Sequence, residues 1–358
     1  PEVYAQYKRL PNNEFEPITY RDMFQIALDF AAALVSVGVK KEDKIGIISD
    51  NRAEWQQADI GIMTIGAIDV PRGCDATIID LEKILSITEA ELVIAENNSQ
   101  VKKILSIKEK LPNLKKFICF ENDLKPETLE LAKSNNVEVV LFSEMLKVGQ
   151  KWRIENKGKV DEILEAGTSE DVATIIFTSG TTGDPKGVVL THKNFLAQLD
   201  ELPERIFVNP GDKALSVLPI WHVFEREVEY VIMIQAGTIC YSKPVGSILL
   251  ADFKKLNPHL LPAVPRVFEA VYDGIQKKMR KTGGIVQVLF NSFVKVAIIH
   301  KRMQRKMFKQ NACFKAYNPV FWWILFIIPW SLMWPLYWLG DLIVLRKIKA
   351  MLGNNFRA

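Results

Sequence analysis

Residues 178–187 read TSGTTGDPKG, and this stretch is the most informative part of the chain. Its ten residues include three glycines, four hydroxyl side chains, one proline and one lysine, Lys186. Glycines let a backbone approach a ligand closely with its N–H groups turned inward, hydroxyls donate further hydrogen bonds, and a lysine adds a positive charge. The composition therefore indicates a loop that binds an anion such as phosphate.

Two common phosphate-binding patterns do not fit this loop. A Walker A loop starting at Gly180 would need Gly-Lys-Ser/Thr where the chain has Pro185, Lys186 and Gly187, and the loop is not a G-x-G-x-x-G turn. The structural alternative is a plain hairpin between two strands, 174–177 and 188–190. We regard it as the weaker interpretation, because an ordinary connection does not need this ordered mixture of glycines, hydroxyls and lysine.

Short apolar runs alternate with helical patterns on both sides of the loop. Thr19 and Asp22 resemble a capping box at the start of a helix over 20–37. Further helices are predicted over 53–68, 80–88, 102–111, 223–235 and 247–256. Predicted strands cover 44–49, 91–95, 116–120, 137–142, 214–218, 238–242 and 260–264. Continuous apolar strands alternating with helices predict an α/β fold with mainly parallel sheets that are covered on both faces.

Three segments are predicted from this pattern. A polar connection over 149–171 separates a first α/β subdomain, residues 1–170, from a second one, residues 171–273, that carries the loop. The remainder, residues 274–358, differs in composition. From Gly274 to Gly340 the chain has no Asp or Glu and eleven Lys or Arg residues, although the whole protein carries a net charge of only +4. Such asymmetry suggests an anionic surface as partner.

Overall composition restricts the class of protein. With 358 residues, 48% hydrophobic and 25% charged, the chain is long and apolar enough for a globular fold, which excludes disorder and collagen-like classes. Its four cysteines, Cys74, Cys119, Cys240 and Cys313, include no C-x-x-C pair, so neither a disulfide scaffold nor a metal site is predicted. The first residues do not read as a secretory signal, and we expect a cytoplasmic protein.

Residues 175–192, IIFTSGTTGDPKGVVLTH, resemble the phosphate-binding signature of the adenylate-forming superfamily, which includes acyl-CoA synthetases. The resemblance implies the fold of the large N-terminal domain of such an enzyme. It also implies ATP and Mg²⁺ as cofactors, with Lys186 as a catalytic residue. The residues that it implies for the ATP phosphates are Thr178, Ser179, Gly180, Thr181, Thr182, Gly183 and Lys186.

Residues 218–230, LPIWHVFEREVEY, are similar to the substrate-side motif of the long-chain fatty acid branch of that superfamily. The resemblance implies that His222 lies near the reacting carboxylate and that Trp221 and Phe224 contact the acyl chain. The alternative for His222 is a helix-start histidine bonded to backbone. For Glu225, Arg226, Glu227 and Glu229 we favour a charge network between helical neighbours.

Two shorter segments also resemble the long-chain branch. Residues 263–269, AVPRVFE, imply that Pro265 lies beside the acyl substrate. Residues 70–77, VPRGCDAT, carry no chemistry that we can assign. The adenine-side Tyr-Gly-x-Thr-Glu segment and the C-terminal domain with its catalytic lysine have no counterpart, so we expect a truncated ligase whose fragment is inactive alone.

Residues 317–340 contain 24 uncharged residues with five tryptophans, Trp322, Trp323, Trp330, Trp334 and Trp338. Tryptophan favours the membrane–water interface, and bases flank both ends of the segment. We expect Pro329 and Pro335 to interrupt a helix here. A monotopic or re-entrant membrane insert is the favoured interpretation, ahead of an apolar wall of the acyl tunnel and of a true membrane span.

The function implied by the resemblance is ATP-dependent ligation of a long-chain fatty acid to CoA, through an acyl-AMP intermediate. Acyl carrier protein is the alternative acceptor, and a non-catalytic, membrane-attached ATP-binding module is the alternative outside the enzyme class. The expected partners are the fatty acid, CoA or acyl carrier protein, and the cytoplasmic face of an anionic membrane. Nucleic acid is not expected.

Overall fold

A computed structural model describes residues 3–179, 185–310, 318–353 and 355–357. The chain divides into two compact units. The first unit comprises Pro1–Lys243 and Leu260–Pro262, and the second comprises Pro244–His259 and Ala263–Ala358.

The first unit contains eleven strands among the described residues. They are β1 Tyr4–Arg9, β2 Phe15–Thr19, β3 Lys44–Ile48, β4 Ile68–Arg72, β5 Leu92–Ala95, β6 Lys116–Cys119, β7 Glu138–Leu141, β8 Val172–Ser179, β9 Pro185–Thr191, β10 Lys213–Ser216 and β11 Thr238–Tyr241. Its α-helices are α1 Tyr20–Ser36, α2 Ala53–Thr64, α3 Ile78–Thr88, α4 Asn98–Leu105, α5 Pro126–Ser134, α6 Phe142–Glu155, α7 Lys159–Glu165, α8 His192–Glu201 and α9 Val223–Ile234.

The larger sheet has seven strands in the order β7-β6-β5-β3-β4-β8-β9. Every neighbouring pair is parallel except β8 and β9, which pair antiparallel. Strands β4 and β5 are buried apart from Arg72, because the helices between successive strands cover both faces of the sheet. The predicted α/β class with mainly parallel sheets is confirmed.

A smaller sheet has the order β10-β11-β1-β2, in which β1 pairs parallel with β11 and antiparallel with β2. Each sheet therefore contains strands from both sides of residue 170. Neither sheet corresponds to one of the predicted segments, 1–170 and 171–273. That division stays a prediction. Leu260 forms an isolated parallel bridge with Ala214, where the sequence predicts a full strand over 260–264.

Helix α1 begins where the sequence predicts it. The Thr19 side chain accepts a hydrogen bond from the Asp22 backbone N–H at 3.1 Å, which satisfies one of the free donors at the helix start. Helix α1 ends at Ser36, and Gly38 follows with φ +91°, a conformation that glycine adopts without strain. The buried face of α1 packs into a core with Trp55, Ile47 and Ile62.

The predicted connection over 149–171 is wrong, because helices α6 and α7 occupy most of it. A Cβ atom at Gly149 would lie 1.7 Å from the Asp29 carbonyl oxygen. Glycine is thus required there by the close approach of α6 to α1, and it does not end the helix. Arg153 strengthens the same contact through an ion pair with Asp29 at 2.6 Å.

The second unit is helical in its described residues. Its elements are α10 Gly246–Leu256, α11 Pro265–Thr282, α12 Gly284–Met307, α13 Pro319–Gly340, a π-helical turn at Asp341–Leu345, and α14 Arg346–Met351. Helix α13 continues through Pro329 and Pro335, so the predicted interruption does not occur. Each proline removes one N–H from the helical ladder, and the neighbouring turns keep theirs.

Candidate functional site

The β8–β9 hairpin carries the predicted phosphate loop. Its register places Thr178 opposite Lys186 and Ser179 opposite Pro185. Because β8 runs parallel to β4, Thr178 lies at the carboxyl edge of the large sheet, the edge at which open α/β sheets bind ligands. Lys186 is exposed. The predicted residues Gly180, Thr181, Thr182 and Gly183 lie outside the described residues.

Gly187 allows the two strands of this hairpin to pair closely. A Cβ atom at Gly187 would lie 2.9 Å from Ile175 Cγ2 and 3.2 Å from the Phe177 ring. Either contact is tighter than real Cβ atoms normally show, so a larger residue would push the strands apart. The last glycine of the TSGTTGDPKG stretch thus has a packing role beside any role in binding.

A buried ion network lies behind the hairpin. The Arg226 guanidinium donates to both carboxylate oxygens of Asp69, at 3.1 and 2.7 Å, and contacts Asp59 as well. Thr174, on the strand that leads to the loop, donates to Asp69 Oδ1 at 2.9 Å. Arg226 and both carboxylates are almost completely buried. The network therefore joins α2, β4, β8 and α9 beneath the hairpin.

The predicted charge network between helical neighbours is wrong for Arg226. Its carboxylate partners come from α2 and β4. Within its own helix α9, the one side chain among the described residues that hydrogen-bonds to it is Tyr230, whose hydroxyl lies 2.8 Å from Nε. The Phe195 ring also flanks the guanidinium, with its centroid 5.2 Å from Cζ. A sequence pattern along one helix cannot reveal partners that are more than 150 residues away.

Burial dominates the electrostatics of this network. It raises the pKa of Asp59, with the neighbouring Asp69 carboxylate adding to the rise and Arg226 opposing it. Burial by itself would lower the pKa of Arg226, but the two carboxylates outweigh it and raise that pKa. One guanidinium thus compensates two buried carboxyl groups, and its removal would leave both without a counter-charge.

Helix α9 also buries carboxyl groups that the sequence assigns to a charge network between helical neighbours. The Val217 backbone N–H donates to Glu225 Oε1 at 3.2 Å, and Gln56 Nε2 donates to Glu229 Oε2 at 3.0 Å. Burial raises the pKa of Glu225 to about 8 and that of Glu229 as well. Burial also raises the pKa of Glu227, to about 7. Burial thus shifts all three side chains toward their protonated, neutral form.

His222 occupies the N-cap of α9. Its Nδ1 accepts from the Phe224 backbone N–H at 3.5 Å, and its own backbone N–H donates to the Pro219 carbonyl at 3.0 Å. The ring is exposed, as is the side chain of Phe224. This geometry is that of a helix-start histidine, and it leaves the outer side of the ring accessible to a substrate.

Trp221 rests on the backbone of Gly73. A Cβ atom at residue 73 would lie 2.3 Å from Trp221 Cζ2. Asn51 fixes the same segment, because its amide nitrogen donates to the Leu218 carbonyl at 2.6 Å and its oxygen accepts from the Ile220 N–H at 3.0 Å. Residues 70–77, to which the sequence assigns no chemistry, thus have a packing role, because Gly73 leaves space for the Trp221 indole.

A polar cluster closes the carboxyl ends of β3, β4 and β5. Glu96 accepts from the Asp50 N–H at 2.7 Å and from the Ser49 hydroxyl at 3.1 Å, and Asp50 accepts from the Cys74 N–H at 3.2 Å. Oxygen and sulfur atoms of Asp50, Cys74 and Glu96 lie within 4.8 Å of one another. Burial raises the pKa of the Cys74 thiol, so the thiolate that a metal would need is disfavoured.

An apolar groove of about 590 Å³ lies at the opposite, amino edge of the sheet. Gly66, just before β4, and Asp171, just before β8, are among its lining residues, with Met63, Phe195 and Leu199 as apolar walls. None of the predicted acyl-contact residues lines this groove, namely Trp221, His222, Phe224 and Pro265. Trp221, His222 and Phe224 belong to the first unit, whereas Pro265 is the first residue of α11 in the second.

Helices α12 and α13 of the second unit pack against each other as an antiparallel hairpin. His300 stacks between Trp330 and Tyr337, with ring centroids 5.1 and 4.3 Å away. Gly340 contacts Phe293 so closely that a Cβ atom would lie 2.6 Å from the Phe293 ring. Residues Gly284–Met307 and Pro319–Met351 are long and apolar enough to cross a membrane by length and composition.

The five tryptophans predicted to contact a membrane all lie on α13. Three are about half exposed, at 47% for Trp323, 50% for Trp334 and 50% for Trp338. Trp322 and Trp330 are less exposed, since Trp322 stacks on Phe326 and Trp330 on His300. The helix therefore presents an apolar, aromatic face that the described residues do not cover.

Comparisons with known proteins agree with this geometry. Residues 3–317 match the family model described as AMP-binding enzyme. The chain is 33% identical over 350 residues to "Probable acyl-activating enzyme 16, chloroplastic" of Arabidopsis thaliana, covering 94% of this chain and 47% of that protein. It is 30% identical to "Long-chain-fatty-acid--[acyl-carrier-protein] ligase AEE15, chloroplastic" of the same plant, covering 94% and 47%.

A third relative is "Long chain acyl-CoA synthetase 8" of Arabidopsis thaliana, at 29% identity over 98% of this chain and 46% of that protein. Among solved structures, the inhibitor-bound N-terminal domain of FACL13 from Mycobacterium tuberculosis superimposes with a TM-score of 0.59 at 22% identity, covering 75% of this chain and 61% of that one. The chain spans about half the length of the curated relatives that it matches. It belongs to the AMP-binding enzyme family.

Proposed function

We propose that this chain is the phosphate- and substrate-binding part of an ATP-dependent ligase that activates a long-chain fatty acid and transfers it to CoA. The observation that carries the proposal is the β8–β9 hairpin, which holds Thr178 and Lys186 side by side at the carboxyl edge of a parallel sheet. Relatives named for long-chain acyl-CoA synthesis and for acyl-carrier-protein ligation support the substrate class.

The proposed reaction has two steps. A carboxylate oxygen of the fatty acid attacks the α-phosphorus of ATP, and the bond to the leaving pyrophosphate breaks, which gives acyl-AMP. A thiol sulfur then attacks the acyl carbonyl carbon, loses its proton, and displaces AMP to form the thioester. In the first step an anionic carboxylate must approach the polyanionic triphosphate, and pyrophosphate leaves. Catalysis therefore depends on positioning the two reactants and on neutralising the phosphate charge.

The composition of the predicted phosphate loop fits that demand. Thr178, Ser179, Gly180, Thr181, Thr182 and Gly183 would hold the β- and γ-phosphates through backbone N–H groups and hydroxyls, and Lys186 would place its ammonium group beside them. We assign His222 to the carboxylate side, with Trp221 and Phe224 contacting the acyl chain, and the role of Pro265 in acyl binding stays a prediction. Mg²⁺ would accompany ATP, whose phosphate oxygens supply much of the ligand set that this ion prefers.

Two thiols are candidate acceptors of the acyl group. CoA is the first choice and acyl carrier protein the alternative, since relatives are named for each. The experiment is a hydroxamate-trapping assay of the complete protein with ATP and fatty acids of increasing chain length, followed by thioester formation with each thiol. Absence of trapped hydroxamate at every chain length, with ATP still bound, would instead favour the non-catalytic ATP-binding module.

We further propose that residues 274–358 attach the protein to the cytoplasmic face of an anionic membrane. The uncovered tryptophans of α13 support burial in the interface. His300 stacks on Trp330 and Tyr337, so the basic run Lys301, Arg302, Arg305 and Lys306 of α12 lies opposite the middle of α13. If α13 spanned the bilayer, these cations would be drawn toward its centre at a cost of about 2.5–3.5 kcal/mol each. A monotopic position, with α13 in the plane of the interface, avoids that cost.

A further inference from the structure

The basic run of α12 lines a groove of its own. Lys301, Arg302, Arg305 and Lys306 surround a cavity of about 660 Å³, and Ile298 and Leu345 contribute to its apolar floor. All of these residues belong to the second unit. The groove therefore combines four positive charges with an apolar surface over a single turn and a half of helix.

The two arginines of this groove lie in a stretch of the chain without acidic residues. The sequence has no Asp or Glu from Gly274 to Gly340. The next acid, Asp341, pairs with Arg346 and Lys349, at 3.4 and 2.8 Å. Within the described residues, neither Arg302 nor Arg305 forms an ion pair, and both guanidinium groups are exposed. An anionic ligand would thus meet two available planar donors, each able to hold a phosphate through two parallel hydrogen bonds.

Aromatic rings hold the lysines at the borders of the groove. Lys306 Nζ lies 4.3 Å from the centroid of the Trp322 ring, and Lys301 Nζ lies 5.6 Å from that of Tyr337. Both rings belong to α13, the helix that we assign to the interface. The lysines therefore lie along α13, from Trp322 near its start to Tyr337 near its end. With α13 in the plane of the interface, as proposed above, they lie near the phosphate groups of a leaflet.

We propose that this groove is a binding site for the headgroup phosphate of an anionic phospholipid. The inference rests on the proposed membrane association and adds a ligand and a location to it. The arginines bind the phosphate, the lysines add charge, and the apolar floor contacts the first carbons of the acyl chains. The apolar floor and the neighbouring aromatic face favour a lipid over a free phosphate, which has no apolar part to bury.

The test is vesicle flotation of the complete protein and of the Arg302→Lys/Arg305→Lys variant. The variant keeps the net charge but loses the two-pronged guanidinium geometry. Vesicles of phosphatidylcholine alone, of phosphatidylcholine with phosphatidylglycerol, and of phosphatidylcholine with oleate at matched surface charge are compared. We expect the variant to bind phosphatidylglycerol vesicles at least about fivefold more weakly, because each lysine replaces two parallel hydrogen bonds to the phosphate by one. It should bind oleate vesicles as the wild type does.

A matched control replaces two exposed arginines of the first unit, Arg21→Lys/Arg205→Lys, and should leave binding to all vesicles unchanged. Equal binding of variant and wild type to phosphatidylglycerol vesicles would overturn the headgroup site while leaving membrane association intact. Failure of the wild type to bind any vesicle would instead overturn the membrane association and the site with it. If inorganic phosphate alone raises the melting temperature of the wild type but not of the groove variant, the ligand is a free phosphate and the proposal is wrong.

Discussion

Arg226 and Asp69 face each other across the interior of the first unit, and the guanidinium donates to both carboxylate oxygens, at 3.1 and 2.7 Å. Asp69 lies on β4, and Thr174 on the adjacent β8 donates to the same carboxylate. The pair thus fixes the strand that leads into the phosphate hairpin. Substitution of Arg226 measures how much this ion pair contributes to the stability of the fold.

The first prediction concerns Arg226→Met, which should destabilise the fold. The substitution leaves Asp59 and Asp69 buried without a counter-charge, which costs about 3–5 kcal/mol of the free energy of unfolding. Urea denaturation at neutral pH measures the loss. Arg21→Met, at an exposed position on α1, is the control and should change stability by less than about 0.5 kcal/mol. A loss of similar size in both variants would contradict the role of the network.

The second prediction is a pH dependence that arises from Glu225. Its pKa is raised by burial from 4.5 to about 8, so the folded state keeps a proton that the unfolded state releases. Stability from this group is present below the unfolded pKa and declines as pH rises toward the folded pKa, by at most about 1.4 kcal/mol per pH unit. Glu225→Gln should therefore gain stability relative to wild type on going from about pH 5 to about pH 8.

Thermal unfolding at the two pH values checks that prediction. The control is Glu204→Gln, at an exposed position, whose melting temperature should follow that of the wild type at both pH values. Parallel shifts of wild type and Glu225→Gln with pH would show that this carboxyl group does not control the dependence.

The third prediction is that Lys186→Ala lowers adenylation about 100- to 1000-fold in the complete protein without lowering stability. A charge that stabilises a transition state at such a site is worth about 2.7–4 kcal/mol, while the exposed Lys186 side chain contributes little to the core. ATP–pyrophosphate exchange provides the measurement. Lys193→Ala removes a surface ion pair with Glu170 and serves as the matched lysine control. Unchanged ATP–pyrophosphate exchange in Lys186→Ala would show that the hairpin is not part of the active site.

The fourth prediction separates two roles of His222. His222→Ala removes both the ring and the cap, which should lower acyl-adenylate formation and cost about 1 kcal/mol of stability. His222→Asn keeps a capping acceptor and should restore stability without restoring activity. Isothermal titration should show nearly unchanged ATP affinity in both variants. Recovery of activity in His222→Asn would mean that the histidine acts only as a helix cap.

The fifth prediction concerns the exposed tryptophans of α13. The variant Trp323→Ser/Trp334→Ser/Trp338→Ser should lose at least about tenfold in vesicle binding at high salt, because burial of a large apolar side chain contributes about 1.5–3 kcal/mol and is not screened by salt. Flotation at low and high salt measures the two components. The control is Ile79→Ser/Ile154→Ser/Phe207→Ser, three exposed apolar residues of the first unit. Complete release of the wild type by moderate salt would assign attachment to the basic residues alone.

The central strands of the large sheet could be predicted from sequence because they are buried on both faces. Strands β3, β5 and β6 read as short apolar runs, and each was predicted within one or two residues. Strands β1 and β2 do not show this pattern of a short apolar run. Both strands carry charged residues. β2 is an edge strand that pairs with β1, and β1 in turn pairs with β11, more than 200 residues away.

The candidate site likewise has one part that the sequence predicts and other parts that it does not. The phosphate hairpin was visible as a local pattern, since its glycines, hydroxyls and lysine are consecutive. The buried network was not, because Arg226, Asp59 and Asp69 come from three distant segments and resemble ordinary surface charges in sequence. The contact between Gly73 and the Trp221 indole could not be predicted from sequence either, because only the fold brings these two residues together.

The contact between Gly73 and Trp221 also restricts how this protein can vary in evolution. Any side chain at position 73 would occupy the space of the indole, whose nearest atom lies 2.3 Å from where a Cβ would be. A lineage that replaces Gly73 must therefore first, or at the same time, accept a smaller residue at position 221. The two positions, separated by almost 150 residues, are thus expected to change together, and a mutant library that randomises position 73 alone will sample mostly proteins in which the indole is displaced.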